Sequence, residues 1–202
     1  MKNVKFSMML AALFVAFGLS AQAQKIHYGI TAGSNFAVQS GIAEYYDNGN
    51  IRVGVHVGLT GSYQLNDKSL LQTELNYEQK GSHSKGLTEK FDYLSIPLLY
   101  DYSFGKTYHT NLRFHLNVGP YVSYLLNAKE VADNNGSTII TDLKSNAHKV
   151  EFGAIMGLGL VQPVGKHDVS MDIRLSLGLS HFASNDIQSH NKMIGVYLGY
   201  TL

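Results

Sequence analysis

The chain has 202 residues, enough for one domain with a full core. Its 16 Lys and Arg nearly balance 15 Asp and Glu, for a net charge of +1, so nothing in the balance points to nucleic acid or a strongly charged partner. The lack of Cys excludes disulfides, thiolate metal centres, cysteine nucleophiles and a lipoprotein anchor together.

Residues 1–23 read as a secretory signal peptide: Lys2 and Lys5 at the start, an apolar run from Met8 to Leu19, and Ala21-Gln22-Ala23 as a small-x-small cleavage site. That apolar run is short of the ~20 residues a spanning helix needs. No later stretch is long and apolar enough to span as a helix. The expected mature chain is therefore 24–202, exported and folded as one domain.

That domain reads as about eight strands, near 26–37, 51–64, 70–80, 91–104, 111–126, 149–162, 167–181 and 192–202. The fifth sets the pattern. One parity carries Leu112, Phe114, Leu116, Val118, Pro120, Val122, Tyr124 and Leu126, and the other Arg113, His115, Asn117, Gly119, Tyr121 and Ser123. A period of two marks a strand with one apolar and one polar face. It is also far longer than the ~5–6 residues of an ordinary strand, and a tilted strand crossing a bilayer needs about 9–11. The seventh strand repeats the pattern, with Val169, Met171, Ile173, Leu175 and Leu177 against Asp168, Ser170, Asp172 and Arg174.

The connections near 37–51, 80–91, 126–149 and 181–192 are long and polar, and those near 65–69, 104–110 and 163–166 are short and turn-like. This alternation on an even strand count is the layout of an all-β, eight-stranded antiparallel up-and-down transmembrane β-barrel in the cell outer membrane. Short turns and both termini are expected on the periplasmic side, and long loops outside. Aromatic residues on the apolar parity sort accordingly. Tyr28, Tyr63, Tyr102, Phe114 and Tyr200 fall near the short-turn ends, and Phe36, Tyr77, Tyr124 and Phe152 near the long-loop ends. They form an expected aromatic girdle in which Tyr takes the place of the absent Trp.

Periodicity alone does not say which face points out, since a soluble lipocalin-like barrel would bury the apolar one. Strand length, the two aromatic bands and a polar face rich in Gly favour the apolar face outward. Pro97 and Pro120 fall mid-strand, where each must cost a ladder hydrogen bond or widen the sheet locally.

Four segments, Gly54-Val55-His56-Val57-Gly58, Leu71 to Gly81, Tyr93 to Leu99, and Asn117 to Val122, resemble the Bacteroidota outer-membrane β-barrel family labelled PorT-like or porin-family. The resemblance covers essentially the whole mature chain. It implies an eight-stranded outer-membrane barrel and no catalytic signature. The chain departs from the common assembly signal in ending on Leu202 where Phe is usual.

An eight-stranded barrel is just wide enough for side chains to fill it. The expected inward charges are Arg52, His56, Glu74, Glu78, Asp101, Arg113, His115, Glu151, Asp172 and Arg174, of both signs. Buried charges cost several kcal/mol each unless paired, which points to an internal salt-bridge network closing the lumen. The alternative is a narrow polar pore for small solutes, helped by inward glycines on the first, second, sixth and eighth strands. His83, His148, His181 and His190 lie near the outer loops without ligand spacing, so no metal and no cofactor is expected. A third reading is a lipid-A-modifying enzyme using Ser180, His181 or Ser184, with Asp186 as the nearest acid. Expected partners are outer-membrane lipid and lipopolysaccharide, and a protein bound by extracellular loops. The best candidate contact is the loop 127–148, followed by the one carrying Glu44, Tyr45 and Tyr46. The leading expectation is thus a non-enzymatic barrel that is structural or displays an interaction platform.

Overall fold

The computed structural model describes residues 26–40, 50–84, 87–106, 112–134, 137–143, 148–180 and 190–202. The expected signal peptide lies outside them. Nine strands follow in chain order: β1 Ile26–Ser40, β2 Asn50–Asn66, β3 Ser69–Ser84, β4 Leu87–Lys106, β5 Arg113–Asn134, β6 Ser137–Asp142, β7 Val150–Val164, β8 His167–Gly178 and β9 His190–Thr201. All pairings are antiparallel, in the order β4-β3-β2-β1-β9-β8-β7-β5-β6, and β4 also pairs with β5. Eight strands therefore close into a barrel, and β6 stands outside the ring as a partner of β5.

The alternating pattern dictates the faces. Along β8, Val169, Met171, Ile173 and Leu177 are exposed, whereas Asp172, Arg174 and Ser176 are buried. Water would not tolerate such a wall, but hydrocarbon would, because the ladder satisfies every backbone group of a closed barrel. No helix among the described residues is long and apolar enough to cross a membrane.

At one end the strands are joined by tight turns. Between β2 and β3, Lys68 N donates to Asn66 Oδ1 at 2.9 Å, an Asx-type turn. Between β7 and β8, Gly165 takes a φ of 66°, a left-handed conformation that favours Gly. The opposite, loop end differs from the sequence reading in two ways. The segment 80–91 is no loop, because β3 runs to Ser84 and β4 begins at Leu87, in register from Lys80–Phe91 to Ser84–Leu87. The segment 127–148 also departs from an open loop, since β5 continues to Asn134 and pairs with β6 from Lys129–Asp142 to Asn134–Ser137. A signal for this hairpin lies in the sequence, where Asn135-Gly136 precedes the β-branched run Thr138-Ile139-Ile140-Thr141. The parts of β3, β4, β5 and β6 beyond the ring thus form a small sheet above the barrel.

Pro97 and Pro120 sit in the wall without shifting its register. The β3–β4 ladder is interrupted between Thr73–Leu98 and Asn76–Ser95 and resumes unshifted, and Thr73 Oγ1 donates to the Pro97 carbonyl at 2.9 Å. Pro120 pairs with Ala154 in an unbroken register and faces outward.

Candidate functional site

The lumen is where the chain concentrates its chemistry. Glu74 on β3 and Arg174 on β8 come from opposed strands of the ring, and their side chains meet at 2.7 Å, Nη1 to Oε1. Gln72 and Asn76 amides donate to the two Glu74 oxygens at 2.6 and 2.7 Å. Arg174 also lies 3.5 Å from Asp172 and over the Tyr197 ring. The carboxylate and the guanidinium are each almost completely buried, so the pair spans the barrel and blocks its middle.

Toward the loop end a second layer gathers around Lys80, whose ammonium reaches Glu151 at 2.7 Å and Glu78 at 3.7 Å and lies 4.9 Å from the centres of both the Tyr93 and Tyr121 rings. Tyr121 Oη donates to Glu151 at 2.7 Å, and the Asn191 amide donates to the same carboxylate. Beside this layer His56 stacks on Tyr197 with centroids 4.0 Å apart and sits 3.6 Å from Glu78. Above it Phe91, Tyr93, Leu125 and Ala128 form an apolar stopper. Leu143, just after β6, folds onto that stopper, its N–H donating to the Ala128 carbonyl at 3.0 Å. A β-bulge makes the stopper possible. Asp92–Asn127 and Tyr93–Leu125 leave one extra residue on β5, so Leu125 and Ala128 both point inward.

Toward the turn end the lumen opens into a polar vestibule of about 110 Å³. Its floor includes Asp101, His115, Asp172 and Arg174, and its rim Arg113, Asp168, Lys68 and His27. His115 Nε2 lies 2.9 Å from Asp172 and its Nδ1 lies 3.8 Å from Asp101. The barrel is therefore a cup, closed at the loop end and through its middle, and open at the turn end.

Eight of the ten expected inward charges, namely His56, Glu74, Glu78, Asp101, His115, Glu151, Asp172 and Arg174, are brought together in these layers. Arg113 stays at the rim, about a third exposed, and pairs with Asp168 at 2.9 Å. Arg52 is a correction, because it does not join the lumen network. Between Ile51–Ser82 and His56–Glu78 the β2 strand carries one residue more than β3, and this bulge re-aims the side chain. The guanidinium donates to the Lys80 carbonyl, and its electrostatic partners are Asp92 and Tyr77, both on the outer wall. Sequence reasoning missed Lys80, which at 1 % exposure is as buried as any charge here, and Asp168. Lys80 shares the parity of Glu74 and Glu78 and was legible on that ground. Parity had already put Tyr121 on the polar face, but the part that the buried Tyr93, Tyr121 and Tyr197 rings take in filling the lumen was not read from it.

At three of the inward glycines the space is already taken. A Cβ on Gly159 would lie 2.1 Å from the His115 ring, one on Gly153 2.7 Å from the Tyr121 ring, and one on Gly195 1.9 Å from the Tyr197 hydroxyl. Each gap is filled by a large side chain, from a neighbouring strand or from the same one.

On the outside, Tyr28, Phe36, Tyr63, Tyr102, Phe114, Tyr124, Phe152 and Tyr200 are exposed and Tyr77 is half-exposed. Tyr100 and Phe104 belong with them at the turn end, with Phe104 stacked on Phe114 at 6.2 Å. Of the residues suggested for hydrolysis, Ser180 Oγ accepts from the Phe152 N–H at 3.1 Å. His181, Ser184 and Asp186 lie outside the described residues, as does the segment with Glu44, Tyr45 and Tyr46. Among the described residues no three His, Asp or Glu side chains are grouped as metal ligands.

The profile of the outer membrane protein β-barrel domain matches residues 21–184, most of the chain. The chain belongs to this family. As a member of the outer-membrane β-barrel family it closes its ring with β9, which lies beyond the matched region. No curated protein sequence matches it. Among solved structures it is similar to Neisserial surface protein A, at 13 % identity and a TM-score of 0.50, over 85 % of this chain and 95 % of that one. It is also similar to Ail, the attachment invasion locus protein of Yersinia pestis, at 13 % identity and 0.47 over 88 % and 99 %. A third is the outer membrane enzyme PagL, at 14 % identity and 0.47 over 85 % and 98 %. At such identities the likeness speaks to the fold alone.

Proposed function

We propose that this outer-membrane barrel is a sealed, non-enzymatic anchor that displays the sheet of β3–β6 to a protein partner outside the cell. The observation that carries the reading is the Glu74–Arg174 contact across the lumen, made by two almost completely buried side chains from opposed strands. On this reading the tight turns and the vestibule face the periplasm, the signal peptide is cleaved, and the chain sits with the PorT-like proteins whose motifs it shares. The displayed sheet ends in β6, where Ile139 and Ile140 are 55 % and 64 % exposed on a strand whose outer edge pairs with nothing among the described residues. Exposed apolar residues on an unpaired edge are the features that another chain can bind. A second reading, the narrow solute channel, draws on the vestibule, which is half of a pore already. Single-channel recording of the refolded mature chain in a planar bilayer separates the two. A folded, heat-modifiable and silent barrel is the expected result, and stable conductance steps would overturn it.

A further inference from the structure

The outer wall brings three cations close together, with Asp92 and Asp142 as the carboxylates beside them. Lys90 on β4 and Lys129 on β5 are directly opposite in register, both exposed and both pointing out of the barrel. Like charges in this position destabilise a ladder. Among the described residues neither ammonium makes a salt bridge. Gly81 is the neighbour of Lys90 on β3, and a Cβ there would lie 3.1 Å from Arg52 Nη1. The β2 bulge that takes Arg52 out of the lumen thus lays its guanidinium over the glycine at the end of the same row. Three cations follow one another across four strands. Asp92, one outward position below, already accepts from the amides of Gln79 and Asn127 at 3.3 and 3.2 Å. Asp142 lies opposite Lys129 at the far end.

The row has a definite height. The outward aromatic row Tyr77–Leu94–Tyr124 lies four residues below it along β4. At ~3.3 Å per residue and a tilt near 40°, that places the cations about 10 Å beyond the aromatic band. The headgroup layer is roughly 5–8 Å thick on each side, and lysine stems reach back toward apolar surface.

We propose that Arg52, Lys90 and Lys129 form a binding site for a phosphate monoester carried by an outer-leaflet lipid, with its acyl chains lying against Tyr77, Leu94 and Tyr124. A dianionic phosphate bridging Lys90 and Lys129 removes their repulsion and takes a hydrogen bond from the fixed guanidinium fork. The leaflet rests on the orientation proposed above, whereas the chemistry of the site does not.

The test uses the full mature barrel in phosphatidylcholine nanodiscs doped with phosphatidic acid, whose headgroup is a phosphate monoester. Native mass spectrometry is expected to show phosphatidic acid retained about tenfold over phosphatidylglycerol, a diester, from one or two charge-assisted contacts. Lys90→Gln/Lys129→Gln, and separately Arg52→Gln, should bring retention to parity, whereas Lys192→Gln, an outward lysine on β9 outside the row, should not. In a neutral detergent the double variant should melt no lower than the wild type, because repulsion has been removed. With phosphatidic acid it should melt lower. Equal retention of both lipids, or equal loss from Lys192→Gln, would leave only diffuse charge attraction and overturn the site. Millimolar inorganic phosphate displacing the lipid completely would mean a free-anion site and overturn the lipid assignment. A Cys placed at Thr138 of this Cys-free chain, labelled on intact cells by an impermeant reagent, reports the orientation independently.

Discussion

Arg174 and Glu74 belong to strands on opposite sides of the ring, yet their side chains meet at 2.7 Å inside the barrel. The contact ties together two strands that share no backbone hydrogen bond. Its energetics follow the rule for buried pairs, in which breaking one is far worse than replacing both. Glu74→Ala or Arg174→Ala should each cost ~3–5 kcal/mol by stranding a buried charge, whereas Glu74→Met/Arg174→Met should cost much less. The temperature at which the folded band is lost on a heat-modifiability gel reads the difference. Equal shifts for singles and double would show that the charges are not coupled.

The filled glycine gaps give a sharper packing test. Gly159→Ala places a methyl against the His115 ring, and overpacking of this kind costs about 1–3 kcal/mol. Gly61, an outward-facing glycine on β2 with nothing within 4 Å of a Cβ, should accept Ala with no loss. Paired unfolding curves of the two variants, with His115→Ala added to the first as a rescue, should separate space from backbone effects.

A further prediction concerns pH at the loop end, in the sheet above the apolar band. Burial, with Glu130 as a secondary cause, raises the Glu89 carboxyl above its ordinary value of 4.5, and a hydrogen bond from Ser82 only partly offsets this. A carboxyl raised in the folded state holds its proton longer there than in the opened chain. The β3–β4 extension should therefore be most stable below 4.5 and lose stability as pH rises through the raised value. Glu89→Gln removes that loss. Amide exchange across 81–91 should slow in the variant at neutral pH and match the wild type in acid. A variant that exchanges faster at neutral pH would show the carboxylate to be stabilising.

Leu143 is the one described side chain beyond β6 that closes the stopper over Phe91, Tyr93, Leu125 and Ala128. Leu143→Ala should cost about 1–2 kcal/mol, less than a fully buried Leu because the site is only partly covered. Limited proteolysis should then cut the connection between β6 and β7 faster, with the barrel itself unchanged. Silent bilayer recordings from this variant are still expected, since the Lys80 and Arg174 layers remain.

Much of this was written in the residues. Alternation through Val169–Leu177 gave β8, and the run from Leu112 to Leu126 gave β5 together with its lipid-facing and lumenal sides. Eight of the ten inward charges followed from parity alone. Arg52 did not, because parity counts residues evenly and a bulge adds one. The same limitation hid the stopper, where Leu125 and Ala128 have opposite parity and still point the same way. Lys80 was overlooked because it stands where a strand was expected to end, and β3 continues for four more residues in register with β4.

The sequence by itself determined the strand count of the ring, because a period of two is a local property, and the exchange of its faces and the membrane it occupies, because strand length, two aromatic bands and a Gly-rich polar face suit hydrocarbon outside. Only the tertiary structure decided which charges meet and that the lumen is a cup closed at one end. Ring closure through β4 and β5 brings strands far apart in sequence within a side chain's length, and bulges at Arg52 and Leu126 choose which wall each residue serves.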